Sequence, residues 1–229
     1  MEKPSILFTG IFGAFIVSCG TMVLMPHSDI GGLLPQVAWD ENQPTPSDQY
    51  PVKLVGGDGH LPGQVAYTSN GCFYCHSQQV RDPQYGPDME RGWGVRRTVA
   101  RDYIFENTPL LGSMRLGPDL SNYGSATWRN EPADDPKKPV KRDKKWILTH
   151  LYNPQTIDGH SKCPPFGYLF EKVDLGAQPA ANAVAIEGNK QIVPTPDAEH
   201  IAEYLLRLDR SHELKEARIV IKPKETAKK

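Results

Sequence analysis

Hydrophobic and polar positions divide this chain unevenly. Ser5 to Met25 reads SILFTGIFGAFIVSCGTMVLM, an uncharged apolar run of about the 20 residues that a helix needs to cross a bilayer. Its glycines would weaken a soluble helix and are commoner in membrane spans. From Pro26 to Leu61 the chain turns rich in Pro, Gly and Asp with no sustained period, which predicts an extended connector. Apolar positions then recur with helical spacing only in short pieces, over Gln64 to Asn70 and Lys145 to Leu151, the latter ended by Asn153-Pro154. The clearest is near the C-terminus, where Ile201, Tyr204, Leu205 and Leu208 stand at i, i+3, i+4 and i+7 and form one apolar stripe. Thr195 is a suitable N-cap for that helix, Pro196 suits its first position, and Asp197 and Glu199 complement its positive end.

Between these pieces the pattern is polar. Pro132 to Lys145, PADDPKKPVKRDKK, predicts a solvated charged insertion, and the Ala/Gly-rich stretch Leu175 to Pro194 a variable loop. The organisation expected is an anchor over 1–25, a connector over 26–61, one folded domain over 62–210 and a C-terminal tail over 211–229, frayed from Lys222 onward. The fold class expected is mainly α, a single N-terminal transmembrane helix followed by a loop-rich domain.

Composition narrows the function. With 229 residues and a formal net charge of -1, the chain carries no global basic field for nucleic acid. Its 20 glycines and 21 prolines favour loops over a long-helix bundle. Lys3 precedes the apolar run while Asp29, Asp40 and Glu41 follow it, an asymmetry that places the N-terminus inside and the remaining chain outside. A cleaved signal peptide would end in an A-x-A-like site, and none follows. Ile16-Val17-Ser18-Cys19 resembles a lipoprotein processing box, with Cys19 as the lipid anchor, yet Gly20 to Met25 stays mostly apolar as an uncleaved span would. All three readings export the bulk of the chain.

The 4 cysteines do not form a disulfide framework. Cys72 and Cys75 belong to Cys72-Phe73-Tyr74-Cys75-His76, Cys19 lies in the apolar run, and Cys163 is left over. CxxCH is the attachment motif of c-type haem. Two thiols add across the haem vinyl groups and the adjacent histidine reaches iron from the same side. A zinc site would need further ligands at suitable spacing, and a thioredoxin-like pair a βαβ context, and the sequence offers neither. His76 then needs a partner for its other ring nitrogen, and the carbonyl of Pro118, in Gly117-Pro118-Asp119-Leu120, is the candidate.

Gly71-Cys-Phe-Tyr-Cys-His-Ser-Gln-Gln-Val-Arg81, Gly117 to Leu120, His150-Leu-Tyr-Asn-Pro154 and the C-terminal helix occur in one order. Together they resemble the mono-haem subunit II of cbb3-type cytochrome c oxidases, across the anchor and nearly the whole exported domain. The resemblance implies a cytochrome c fold with one covalent haem c. It also implies an electron-transfer role without catalysis of its own, in the bacterial inner membrane with the haem domain on the periplasmic side. The partners implied are a catalytic haem–copper subunit, a further cytochrome c subunit and a soluble donor cytochrome. The alternatives are a tethered cytochrome of another complex, such as nitric oxide reductase, and a haem-based redox or gas sensor.

One position departs from the family pattern. Its distal iron ligand is a methionine in a Ser-x-Met-Pro-like segment, and here that segment reads Ser161-Lys162-Cys163-Pro164-Pro165. A cysteine thiolate would lower the potential that a methionine raises. Cys163 is the distal candidate by position. Met114 would supply ordinary thioether ligation and His160 a bis-histidine haem, and the remaining reading leaves the iron open or water-bound. Arg81, Arg96, Arg97, Arg101 and Arg115 are candidate propionate partners, Trp93 and Tyr103 candidate haem-packing aromatics, and Lys137 to Lys145 a candidate surface for an acidic partner.

Overall fold

The computed structural model describes residues 4–32, 36–37, 42, 48–51, 60–104, 106, 108–125 and 142–220. Most of the connector, most of the charged insertion and the residues from 221 onward lie outside the described residues. So do Lys137, Lys138 and Lys141 of the candidate docking surface. The chain divides into two compact units, Met1–Pro35 and Gln36–Lys229.

The first unit is one helix, α1 (Pro4–Ile30), 27 residues long with mean hydropathy 2.0 and no buried residues in its most apolar window. It is long and apolar enough to cross a membrane. A π-helical turn, Gly20–Leu24, interrupts the α-helical hydrogen bonding between Cys19 and Met25. The helix outlasts the apolar run because Pro26 sits in the first turn after this interruption, where its missing N–H is tolerated.

In the second unit three helices enclose the core: α2 (His60–Ser69), α3 (Lys144–Tyr152) and α4 (Pro196–Arg207). The helix α2 starts four residues earlier than its apolar spacing predicts, because Pro62 falls within the first turn. α4 begins where its cap requires: Thr195 Oγ1 accepts from Ala198 N–H at 3.5 Å. Ile201, Tyr204, Leu205 and Leu208 are buried, so the stripe faces the core. α2 packs on it, with the Tyr67 and Tyr204 rings 5.4 Å apart. Asp143 caps α3, its carboxylate accepting from Trp146 N–H at 2.9 Å. Lys144 then bridges to Glu199 and Glu203 of α4 at 2.5 and 3.0 Å.

The stretch predicted as a variable loop is irregular over its first half and ends in two strands. Besides a parallel pair, β1 (Gln36–Val37) with β2 (Tyr50–Pro51), the unit holds β3 (Phe170–Asp174), β4 (Ala185–Glu187) and β5 (Lys190–Pro194). These three form an antiparallel sheet in the order β3-β5-β4, with Phe170 opposite Pro194 and Glu187 opposite Lys190. Gly188-Asn189 closes the β4–β5 hairpin, Gly188 taking φ +64, as a two-residue turn demands. The fold remains mainly helical with loops. Residues 211–220, expected as a tail, are packed: Leu214 and Ala217 are buried and Val220 N–H donates to the Val95 carbonyl at 3.0 Å. This segment has no helical period to read.

Candidate functional site

The segment after α2 makes a tight turn. Gly71 takes φ +71 and starts a 3-10 turn over Cys72–Tyr74, and His76 N–H donates back to the Cys72 carbonyl at 3.0 Å. This one turn presents Cys72, Cys75 and His76 together, all half-buried. The His76 ring is fixed from behind, its Nδ1 2.8 Å from the Pro118 carbonyl oxygen. That contact makes Nδ1 the N–H donor and leaves Nε2 as the lone-pair nitrogen. Burial lowers the His76 pKa, against the Pro118 carbonyl and the Asp119 charge, which raise it. The imidazole is thus kept neutral, the form that binds metal.

A strap of residues runs along the back of the turn. Ser113 N–H donates to the Phe73 carbonyl at 3.2 Å and Gly117 N–H to the Cys75 carbonyl at 3.1 Å. Gly117 lies so close to the imidazole that a Cβ there would fall 2.1 Å from His76 Cε1. The same strap carries Met114, whose side chain is 52% exposed. Met114 thus lies between the two residues, Ser113 and Gly117, that bond to the backbone of the turn.

Cys163 stands elsewhere, in the loop after α3, and is half-buried. Its backbone N–H donates to Ser161 Oγ at 3.3 Å. Burial, then the Cys163 charge, pushes the Cys72 thiol up to about 12. Burial, then Cys75, raises Cys163 as well. The three sulfurs thus sense one another, so the chain brings Cys163 toward Cys72 and Cys75. His160 is exposed on the same loop. Among the described residues, no group of three or more His, Cys, Asp or Glu side chains is arranged to hold a bare metal ion. The raised Cys72 thiol is likewise the opposite of what a reactive dithiol requires. A pinned imidazole with a free Nε2 and two thiols presented on the same turn fit a haem instead.

The arginines turn to protein carboxylates. Arg81 and Arg115 both bind the buried Asp88, at 2.9 and 2.6 Å. Arg96 binds Asp102 at 2.8 Å, and Arg101 binds Asp48 and Glu216, each at 2.6 Å. Arg97 lies 4.0 Å from Asp82. Tyr103 is a core residue whose hydroxyl donates to the Gln78 carbonyl at 2.6 Å. Trp93 is partly buried against the core, with the Arg91 guanidinium 5.0 Å from its ring centre.

Two residues of the site were missed in the sequence. His150, read only as part of the His150-Leu-Tyr-Asn-Pro154 signature, stacks on Trp146 with ring centres 5.1 Å apart and 7° between planes. Burial, then His76, then Arg142 push its pKa down to about 4. The helical spacing Trp146 to His150, i and i+4, was the signal that paired them. Asp119, read as a turn residue, is wholly buried. A one-sided Gly-Pro-Asp pattern carries no sign of that.

Residues 2–224 match the family described as cytochrome C oxidase, mono-heme subunit/FixO. The chain belongs to this family. No curated protein matches it. It is therefore a mono-haem cytochrome c subunit of a cytochrome c oxidase-type complex, and the family implies one haem, a non-catalytic role and a catalytic haem–copper partner. The apolar helix α1 accords with a membrane-anchored subunit.

Proposed function

We propose that this chain is subunit II of a cbb3-type oxidase, a single-pass protein of the bacterial inner membrane with its haem domain on the periplasmic side. It passes electrons from a soluble donor cytochrome, with a further cytochrome c subunit as neighbour, toward the haem–copper centre. The observation that carries this reading is the Cys72–His76 turn with His76 pinned by Pro118, in a chain matched by the mono-haem family over residues 2–224.

Cys72 and Cys75 hold the haem c through thioether bonds, and His76 gives its Nε2 to the iron. When bound, the haem supplies one-electron redox chemistry, so the chain needs no acid, base or nucleophile. The Pro118 carbonyl fixes the tautomer and orientation of His76, the usual task of a metal-bound histidine's outer partner. Cys163 is the residue for the opposite face. It approaches the Cys72 and Cys75 sulfurs, whereas Met114 lies in the strap that bonds to the backbone of the turn and His160 is exposed.

The test is purification from membranes under mild detergent, followed by a haem stain of the denatured chain. The stain persists in the native protein and disappears in Cys72→Ser/Cys75→Ser. A polytopic haem–copper subunit co-purifies. A chain that retains no haem on denaturation overturns the covalent reading, and a haem-bearing chain found alone in the membrane overturns the oxidase reading.

A further inference from the structure

The described residues contain two wholly buried carboxylates close to the site, and they are treated differently. Asp88 is neutralised by the guanidiniums of Arg81 and Arg115. Asp119 is equally buried, yet among the described residues it forms no ion pair. It accepts instead from Ser77 Oγ at 2.5 Å, Gln79 N–H at 2.7 Å and Ser121 N–H at 2.8 Å. All are neutral dipoles, so none of them brings a compensating positive charge. Buried charges are normally matched by an opposite charge.

The Arg81 guanidinium lies within electrostatic reach of Asp119, but it is bonded to Asp88. Asp119 directly follows Pro118, whose carbonyl holds His76, and Ser77 directly follows His76. The Ser77–Asp119 bond and the Leu120 N–H to Ser77 carbonyl bond at 2.8 Å therefore lock the carboxylate to the proximal histidine from both chain directions. Reduction of a haem held by His76 would add one electron and lower the net charge of the group by one unit whatever its other ligand, with no proton taken up or released.

We propose that Asp119 is a buried fixed carboxylate behind the proximal histidine, a positioning residue that disfavours the added electron and lowers the reduction potential from the His76 side. This rests on the haem reading above. It adds to the lowering expected of a Cys163 thiolate, so the two residues act in the same direction from opposite faces.

The experiment is a spectroscopic redox titration with small-molecule mediators on the purified haem-bearing protein, comparing it with Asp119→Asn and Ser77→Ala. At an effective dielectric of about 20, a unit charge at a separation on the order of 10 Å is worth a factor on the order of ten in such an equilibrium, and the ferrous-to-ferric ratio of Asp119→Asn at fixed ambient potential is expected to rise by that order. That is a rise of ~59 mV for a one-electron couple. The Asp119→Asn amide places one N–H against a backbone donor, so this variant can fail to mature. Ser77→Ala keeps the charge and removes a dipole that screens it, so its ferrous-to-ferric ratio falls below the native value. An unchanged or lowered potential in Asp119→Asn, with low-spin His76 ligation retained, overturns the proposal. Where that variant does not mature, an unchanged or raised potential in Ser77→Ala does so. A native chain without covalent haem would instead defeat the haem reading itself.

Discussion

Residues 110–121, which back the Cys72–His76 turn, and residues 157–166, which carry Cys163, serve the same site with very different construction. The first segment is tied to residues some forty positions earlier by backbone bonds from Gln78, Ser113, Gly117 and Leu120. It is also crowded, for a Cβ at Gly112 would fall 2.5 Å from Ser77 Cα and one at Gly117 2.1 Å from His76 Cε1. The second segment bonds mostly to itself, through Ser161 N–H to the Asp158 carbonyl at 2.9 Å and Cys163 N–H to Ser161 Oγ at 3.3 Å. A Cβ at Gly159 or Gly167 would meet nothing within 4 Å. The His76 side is thus specified by backbone geometry over many residues, and the Cys163 side largely by one side chain. A site built this way can exchange its distal ligand without rebuilding its frame. That is the physical sense in which a cysteine can stand where the family pattern has methionine.

The largest effect is expected from testing that asymmetry directly. If Cys163 is the ligand proposed above, Cys163→Met replaces a charge-donating thiolate by a neutral thioether, which should raise the midpoint potential by on the order of 100 mV or more, within the wide span that axial ligands command. The thiolate-like low-spin electron paramagnetic resonance signal should disappear with it. Met114→Leu should leave both unchanged. A wild-type signal in Cys163→Met would remove the cysteine from the iron.

Asp88 offers the converse test on the well-built side. Its carboxylate joins Arg81 to Arg115 of the strap, and breaking such a buried pair costs about 3–5 kcal/mol. Burial raises the Asp88 pKa, but the hydrogen bonds and charges of Arg81 and Arg115 outweigh it and hold the carboxylate below its usual value. The folded protein therefore binds this proton less readily than the unfolded chain. The resulting stability is fully present above the ordinary aspartate range and is lost as pH falls through the lowered folded value. Asp88→Asn should lower the melting temperature near neutral pH and flatten this acid limb, as read by thermal unfolding across pH. An unaltered pH profile would remove Asp88 as a source of acid sensitivity.

How much of this could be read in the sequence follows the range over which each feature is determined. The anchor, the capped helix α4 and the Cys72–His76 turn are local: an apolar run, an i, i+3, i+4 stripe behind Thr195-Pro196, and a motif of five residues. Each was legible. The β4–β5 hairpin was overlooked because its two short strands follow an Ala-rich irregular segment, although Gly188-Asn189 is a turn signal. The packing of Leu214 and Ala217, and the turn of the arginines toward carboxylates, depend on partners far off in sequence, for Arg101 finds Glu216 across 115 residues. Asp119 shows the same limit within the site. Its neighbours in the chain mark a turn, and only the fold reveals that, among the described residues, it is buried without an ion pair.

The smallest effect in this series is also the sharpest measure of the difference between the two segments. In Gly117→Ala, the new methyl would lie 2.1 Å from His76 Cε1, 2.7 Å from Nδ1 and 2.8 Å from Nε2. Either the ring rotates and gives up its contact with the Pro118 carbonyl, or the strap withdraws and gives up the Gly117 N–H to Cys75 carbonyl bond at 3.1 Å. Overpacking of this kind costs about 1–3 kcal/mol, and each kilocalorie lowers the melting temperature of a domain this size by about 2–4 °C. Gly159→Ala, made in open space, should stay within about 0.5 kcal/mol of the native protein. The two variants differ by the same single methyl, so helix propensity and chain entropy contribute little to the contrast. Thermal unfolding of both, with the haem spectrum followed in parallel, measures how tightly each segment is held. Equal melting temperatures would mean that the crowding behind His76 is relieved without consequence, and the asymmetry between the two sides of the site would lose its energetic meaning.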